Sequence, residues 1–304
     1  MNPFKPLYEK CNTGTNAEKF RNLPDFPTII DVEPAGVCNF KCKMCPTGVG
    51  TLGRAQDFMS MTTFSVIVGD CVGRGTGIRF IGFGEPLLHP EIVNFVQMAN
   101  DAGLPTHINT NGSKLTEKMA GDLLSAGLDS IKFSFQGVDS KSFSEMRKID
   151  YFEPLLDKIA IMSGVRSVNS RPYISVSTTT TNETQEQIEA FKDRLYPMVD
   201  QITVGKTIFD FMGDGAKDEG FRHPKPCPEV NDKLSIHWDG SVVTCCNDFS
   251  GKNTIGNVQT VPIELLWTES IIEKYREHLS KDDYSLPLCN VCWDYMGLTE
   301  GAES

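Results

Sequence analysis

Three cysteines within eight residues, Cys38-Asn39-Phe40-Lys41-Cys42-Lys43-Met44-Cys45, constrain this chain more than any other feature. One loop with thiols at this spacing can hold three corners of a cubane iron-sulfur cluster. A closed structural zinc site wants four ligands, whereas three thiolates on a 4Fe-4S cluster leave one iron open to a ligand that is not protein. Taken alone, the loop also reads as buried or metal-structural cysteine. The chain has ten cysteines in all. Residues 1–27 show no charged segment followed by an apolar core, so a cytoplasmic protein is expected, and the cytosol keeps thiols reduced. Metal binding or catalysis is then the leading explanation of the cysteines, and the Asn182-Glu183-Thr184 sequon is a chance match.

The cysteine loop follows a first strand expected at 28–33 (TIIDVE). Five further strands are expected at 77–83, 106–109, 130–135, 173–178 and 201–204, with helical patterns at 61–72, 90–102, 116–126, 152–163 and 184–195 between them. This alternation predicts an α/β fold of repeated β/α units around a parallel sheet. Six units are too few to close an eight-stranded barrel, so the expected architecture is an open, partial (β/α)6 barrel with a substrate entrance on its unsealed side. Active sites of β/α barrels lie at the C-terminal ends of the strands, where the cysteine loop falls.

After Lys206 the glycines at 213, 215 and 220 mark an irregular linker. Runs at 234–238 and 241–245 around Asp239-Gly240 predict a two-residue hairpin. A helical stretch at 263–279 leads to Cys289-Asn290-Val291-Cys292. This tail is expected to be a separate small module, which divides the chain into an N-terminal extension (1–27), the barrel (28–212) and a C-terminal domain (213–304).

Length and composition agree with an ordered enzyme. A chain of 304 residues has room for one domain of about 200 to 250 residues and a small second one. Its 40 acidic and 29 basic residues give a net charge of -11 with no Lys/Arg cluster, so nucleic acid is not an expected partner. No stretch approaches the roughly 20 apolar residues of a bilayer span, so neither is a membrane.

The C-x3-C-x2-C loop behind the first strand resembles the signature of the radical S-adenosylmethionine (SAM) superfamily, with Met44 at the hydrophobic position beside the adenine. The resemblance implies a catalytic 4Fe-4S cluster on Cys38, Cys42 and Cys45, SAM on the open iron, and a 5′-deoxyadenosyl radical that abstracts a substrate hydrogen. Gly82-Phe83-Gly84-Glu85-Pro86 resembles that family's GGEP motif, with Phe83 as a departure, which implies that Gly84 and Glu85 hold the methionyl ammonium. Glycine permits close backbone approach and the carboxylate is a charge-assisted acceptor, although the pentapeptide alone also reads as a turn. The resemblance further implies Asn109, Asn111, Ser134 and Gln136 at the ribose and carboxylate of SAM, and Arg147 as a carboxylate-pairing arginine. The residues themselves leave plainer readings open: Asn111-Gly112 as a turn, Ser134 as a capping hydroxyl, Arg147 as a solvated charge. Gly73-Arg74-Gly75-Thr76-Gly77 precedes a strand instead of opening a helix, and is not a phosphate loop.

Cys227, Cys245 or Cys246, Cys289 and Cys292 supply four more thiols, a set that suits zinc and iron-sulfur alike. Their order, with the hairpin, an Ile255-Gly256-Asn257-Val258 turn, a helix and C-x-x-C, resembles the shortened SPASM, or twitch, domain, which implies an auxiliary 4Fe-4S cluster. Cys245 is preferred over Cys246 because it directly ends the strand and its neighbour points the other way. Cys11, Cys71 and the remaining thiol are too scattered for another cluster.

A fully ligated cluster has no open iron to cleave SAM, so electron transfer is its expected role, and a net two-electron oxidation follows. The single auxiliary cluster resembles that of the aminocyclitol dehydrogenase of butirosin assembly, which implies a sugar or cyclitol alcohol as substrate and a reducing donor such as flavodoxin or ferredoxin. The alternatives are a maturase that modifies a ribosomal peptide by thioether formation or epimerisation and, in another class, a non-catalytic electron-transfer protein. Against the peptide, residues 1–27 are fewer than the about 80 of a recognition domain. Substrate contacts are expected from Thr178 and Thr180, with Lys206 or Arg222 as base or oxyanion partner. The five histidines are dispersed and read as structural.

Overall fold

The six runs of β-branched and apolar residues form parallel strands β1 (Ile29–Val32), β2 (Gly77–Phe80), β3 (Thr106–Thr110), β4 (Ser130–Ser134), β5 (Tyr173–Thr180) and β6 (Gln201–Lys206), paired in sequence order. They are seen in a computed structural model that describes residues 2–166, 171–207, 226–290 and 292. Parallel neighbours need crossovers, which helices Met61–Cys71, Ile92–Asp101, Glu117–Ser125, Phe152–Gly164 and Gln185–Leu195 supply. Ser60, Thr116 and Thr184 cap three of these helices by accepting the N–H three residues on. Alternation along the strands separates two faces. Ile78, Phe80, Ile131 and Phe133 are fully buried in the core that the helices cover, where Phe64 and Phe95 stack at 4.2 Å. Arg79 and Lys132 point the other way, and Lys132 of β4 lies within electrostatic reach of Asp31 on β1 and Arg79 on β2, so the sheet curls around an inner lumen.

The C-terminal segment is not set apart from this sheet. Strand β7 (Lys233–Ile236) pairs in parallel with β1, and β8 (Ser241–Val243) and β9 (Thr254–Asn257) follow antiparallel. One nine-stranded sheet results, in the order β6-β5-β4-β3-β2-β1-β7-β8-β9. The physical reason is the edge of β1, whose four residues are all buried and whose unpaired backbone needs a partner on the side away from β2. The hairpin turns on three residues instead of two: the His237 N–H donates to the Ser241 carbonyl at 2.8 Å, and Gly240 closes the connection at φ 83°. The expected turn at 255–258 is largely strand β9. The last helical stretch splits into Ile263–Leu266 and Ser270–Ser280. Trp267 lies at the break, with its indole N–H on the Pro24 carbonyl at 2.7 Å and the buried Arg276 guanidinium 4.0 Å from its ring centre. No helix among the described residues is long and apolar enough to cross a membrane.

Residues before β1 form two short helices, Lys5–Cys11 and Asn16–Arg21. Phe4, Leu7 and Cys11 pack with Ile29 in a second apolar cluster, and the Phe4 ring lies 5.6 Å from that of His107 on β3. A Cβ on Gly77 would meet Leu7 at 2.6 Å and Phe4 at 2.7 Å, so glycine lets the first helix close against the start of β2. This helix floors the lumen at the N-terminal ends of β1 to β3. Because Phe4 is fully buried, Phe4→Ala should cost about 3–5 kcal/mol. Anaerobic urea unfolding should show a lower midpoint at unchanged slope, and an unchanged midpoint would contradict the floor.

Candidate active site

The loop after β1 folds back on helix Pro46–Val49, and Gly48 makes that contact possible. A Cβ there would lie 2.2 Å from the Cys42 carbonyl oxygen and 2.5 Å from its nitrogen. The Cys45 N–H donates to the Cys42 carbonyl at 3.2 Å, and the Thr47 hydroxyl ties the helix to the Phe83 carbonyl at 2.6 Å. Burial pushes the Cys38 thiol up to about 11 and raises Cys42, while Arg147, with Nη1 3.7 Å from Cys42 Sγ, opposes the shift at Cys42. Such thiols stay protonated without metal and ionise when iron binds.

A cavity of about 270 Å³ opens on Cys38, Cys42 and Cys45, and its walls include Met44, Gly84, Glu85, Asn109, Asn111, Ser134 and Arg147. Two glycines bring its loops together: a Cβ on Gly84 would sit 1.8 Å from the Ala35 carbonyl oxygen, and one on Gly82 2.5 Å from the Glu33 side chain. The Glu85 carboxylate is buried and binds three donors. Oε1 accepts the Thr110 hydroxyl at 2.5 Å and the Leu87 N–H at 2.9 Å, and Oε2 accepts the Asn111 N–H at 2.7 Å. Burial raises its pKa and these bonds oppose the rise. A carboxylate has about four acceptor positions, so one remains for a ligand ammonium. The Asn111 amide in turn donates to Asn39 Oδ1 at 3.1 Å and holds the cysteine loop to the end of β3. Arg147 Nη2 donates to the carbonyls of Ser134 at 2.7 Å and Phe135 at 3.0 Å. Three thiols, a carboxylate with a spare lone pair, a thioether and polar strand ends fit a three-cysteine cluster with SAM beside it.

On the other side of β1, Cys227 is buried and its N–H donates to Asn16 Oδ1 at 2.7 Å, so the second N-terminal helix clamps it. Its thiol is raised by burial first, then by Glu229, with Cys289 and Cys292 adding smaller contributions. Cys245 lies within reach of Cys227 and is half-buried, whereas Cys246 is exposed.

Other expected residues fall elsewhere. Gln136 is off the cavity wall, because the chain turns after β4 and its amide donates to the hydroxyls of Thr179 and Thr207 instead. The Thr178 hydroxyl is engaged by the Gly137 carbonyl and that of Thr180 by Gly205. Lys206 is exposed on the edge strand β6, and Arg222 lies outside the described residues. The sequence reading missed Gly48 and a ring of charge in the lumen. Arg79 grips Asp31 through two contacts of 2.6 Å, Lys233 pairs with Glu229 at 2.7 Å, and Lys132 stands near both pairs. Charged residues in the middle of apolar strands were the signal.

A sequence model of the radical SAM superfamily matches residues 32–207, and one of an iron-sulfur cluster-binding (SPASM) domain matches 227–293. The PqqA peptide cyclase of Rhizobium meliloti is 30% identical over 128 residues, 41% of this chain and 34% of that protein. A GTP 3',8-cyclase of Chlorobaculum tepidum is 29% identical over 138 residues, 45% of this chain and 40% of that protein. Both alignments span less than half of the relative. Among solved structures, BtrN in complex with AdoMet and 2-DOIA aligns with a TM-score of 0.61 at 18% identity over 91% of this chain and 99% of that one. Streptococcus suis SuiB bound to precursor peptide SuiA aligns with a TM-score of 0.67 at 15% identity over 84% and 68%. At these identities the likeness is one of fold.

The contact at Gly48 yields a direct expectation. In anaerobically reconstituted Gly48→Ala, the cysteine loop cannot close, and iron and sulfide should fall by about half while the C-terminal site stays loaded. Wild-type iron content in this variant would contradict the geometry.

Proposed function

The chain belongs to the radical SAM superfamily and carries a SPASM iron-sulfur domain, and from that premise we propose that it oxidises an alcohol carbon of a small sugar or cyclitol by two electrons. When bound, a cluster at the first cysteine trio would supply the electron for reductive cleavage of SAM, and an auxiliary cluster would accept the electron the substrate gives up. Cys38, Cys42 and Cys45 hold the first cluster in this reading, and Cys227, Cys245, Cys289 and Cys292 the second. Glu85 takes the SAM ammonium on its remaining acceptor position. Asn109 and Ser134 would hold the ribose and carboxylate end of SAM and Met44 its adenine, and Arg147 holds Cys42 and the end of β4 in place. Flavodoxin or ferredoxin is the class of protein that would deliver the first electron.

The observation that carries the choice of substrate is the lumen, floored by Phe4 and Leu7 and lined by Asp31, Arg79, Lys132 and Lys233. A polyhydroxylated molecule can hydrogen-bond to such ion-paired, polar walls, whereas an apolar ligand would displace their water without replacing its hydrogen bonds. A second reading, radical modification of a peptide, is favoured by the match to the PqqA peptide cyclase and the fold shared with peptide-bound SuiB.

Incubation with dithionite and SAM should release 5′-deoxyadenosine, and its absence would favour a non-catalytic electron-transfer protein. In anaerobic metabolite extracts, a small molecule should lose two hydrogens in a SAM-dependent way. A mass change confined to peptides would replace this reading by the second. The double variant Cys289→Ala with Cys292→Ala should still cleave SAM yet yield no oxidised product.

A further inference from the structure

Among the described residues, the lumen beneath the SAM cavity holds one cation more than its anions balance. Lys132 lies on the inner face of β4, two residues before Ser134 of the cavity wall, and so about 7 Å deeper along the strand. Most groups around it are already engaged, although Glu229, which lies on the Lys233 side, keeps a buried Oε2 without a partner among the described residues. Both Asp31 oxygens on β1 bind Arg79 of β2, and Glu229 binds Lys233 of β7. His107 on β3 spends one ring nitrogen on Ser130 at 2.5 Å and the other on Asn109 at 2.6 Å, and burial keeps it neutral. The Ser175 hydroxyl on β5 goes to the Ile131 carbonyl. Two ion pairs cancel, His107 adds no charge, and Lys132 has no hydrogen-bond acceptor among the described residues.

An ammonium held in a confined lumen without a counter-charge is unfavourable until an anion joins it. We propose that Lys132 anchors an anionic group, a carboxylate or a phosphate, of the substrate, so that the sugar or cyclitol oxidised here is an acidic one. This deepens the small-molecule reading and rests on it for the substrate's identity, although the anion site itself does not depend on oxidation. Burial, with Arg79 and Lys233, holds Lys132 at about 8, so it is mainly a cation at neutral pH. The proton is lost as pH rises through that value, and anion binding should weaken with it. A bound anion raises the lysine pKa in return.

The test is NMR of the reconstituted, SAM-loaded protein with 13C-labelled lysine, titrated with pH in the presence of sulfate or acetate, and it needs no turnover. The Lys132 resonance, assigned as the one missing in Lys132→Met, should titrate near 8 and move upward with anion. Lys132→Met should weaken anion binding about tenfold or more, and Lys132→Arg should retain it. A response to sulfate alone identifies a phosphorylated substrate, and one to acetate alone a carboxylated substrate. No shift with either anion, or equal binding by Lys132→Met, overturns the proposal. If Lys132→Met does not fold, Lys132→Arg supplies the assignment and the wild-type titration decides. If the anion binds but no small molecule is oxidised, the anion site stands and the oxidation reading fails.

Discussion

Everything at the cavity depends on backbone-to-backbone contact between the loops that leave β1 and β2. Gly84 lets its loop lie against the Ala35 carbonyl, and Gly48 lets the cysteine loop fold against its own following helix. Neither contact leaves space for a Cβ, so close backbone packing sets the path of the loop that carries the three cysteines. Glu85 then locks the end of β3 onto the same junction through Thr110 and Asn111. Binding groups from three strands thus meet on one wall without a long flexible side chain among the main supports.

The two cysteine sites share one sheet. Strand β7 continues the hydrogen bonding of β1, so the segment that carries Cys227 and Cys245 is registered directly against the strand that launches the first cysteine loop. The N-terminal helices brace the arrangement from below, with Asn16 on the Cys227 backbone and Phe4 on the barrel floor. A buried network that includes Arg54–Glu33 at 2.7 Å joins the loops above, since Glu33 also accepts the Phe83 N–H. Such a frame sets the two cysteine sites at a fixed separation.

Much of this was legible from residue pattern. The β-branched runs and the helices between them carry their periods openly, and all six barrel strands lie where apolar alternation places them. The pairing of β7 with β1 was not legible, because contacts between segments about 200 residues apart leave no local period. The helices before β1 are short, 7 and 6 residues, and gave too little pattern to stand out. At the site, motif residues next to strand ends line the cavity, while Gln136 does not, since one turn of backbone beyond β4 redirects its amide. Lys132, Arg79 and Asp31 were visible as charges inside apolar strands, but only the curl of the sheet reveals that they face one another.

The central claim is that Cys38, Cys42 and Cys45 hold a 4Fe-4S cluster with one iron open to SAM. Electron paramagnetic resonance of dithionite-reduced protein whose C-terminal quartet is replaced by alanine tests it most directly. The account predicts a signal from a reduced 4Fe-4S cluster that changes in shape when SAM is added. A signal indifferent to SAM, or a protein that takes up zinc in place of iron and sulfide, would contradict it.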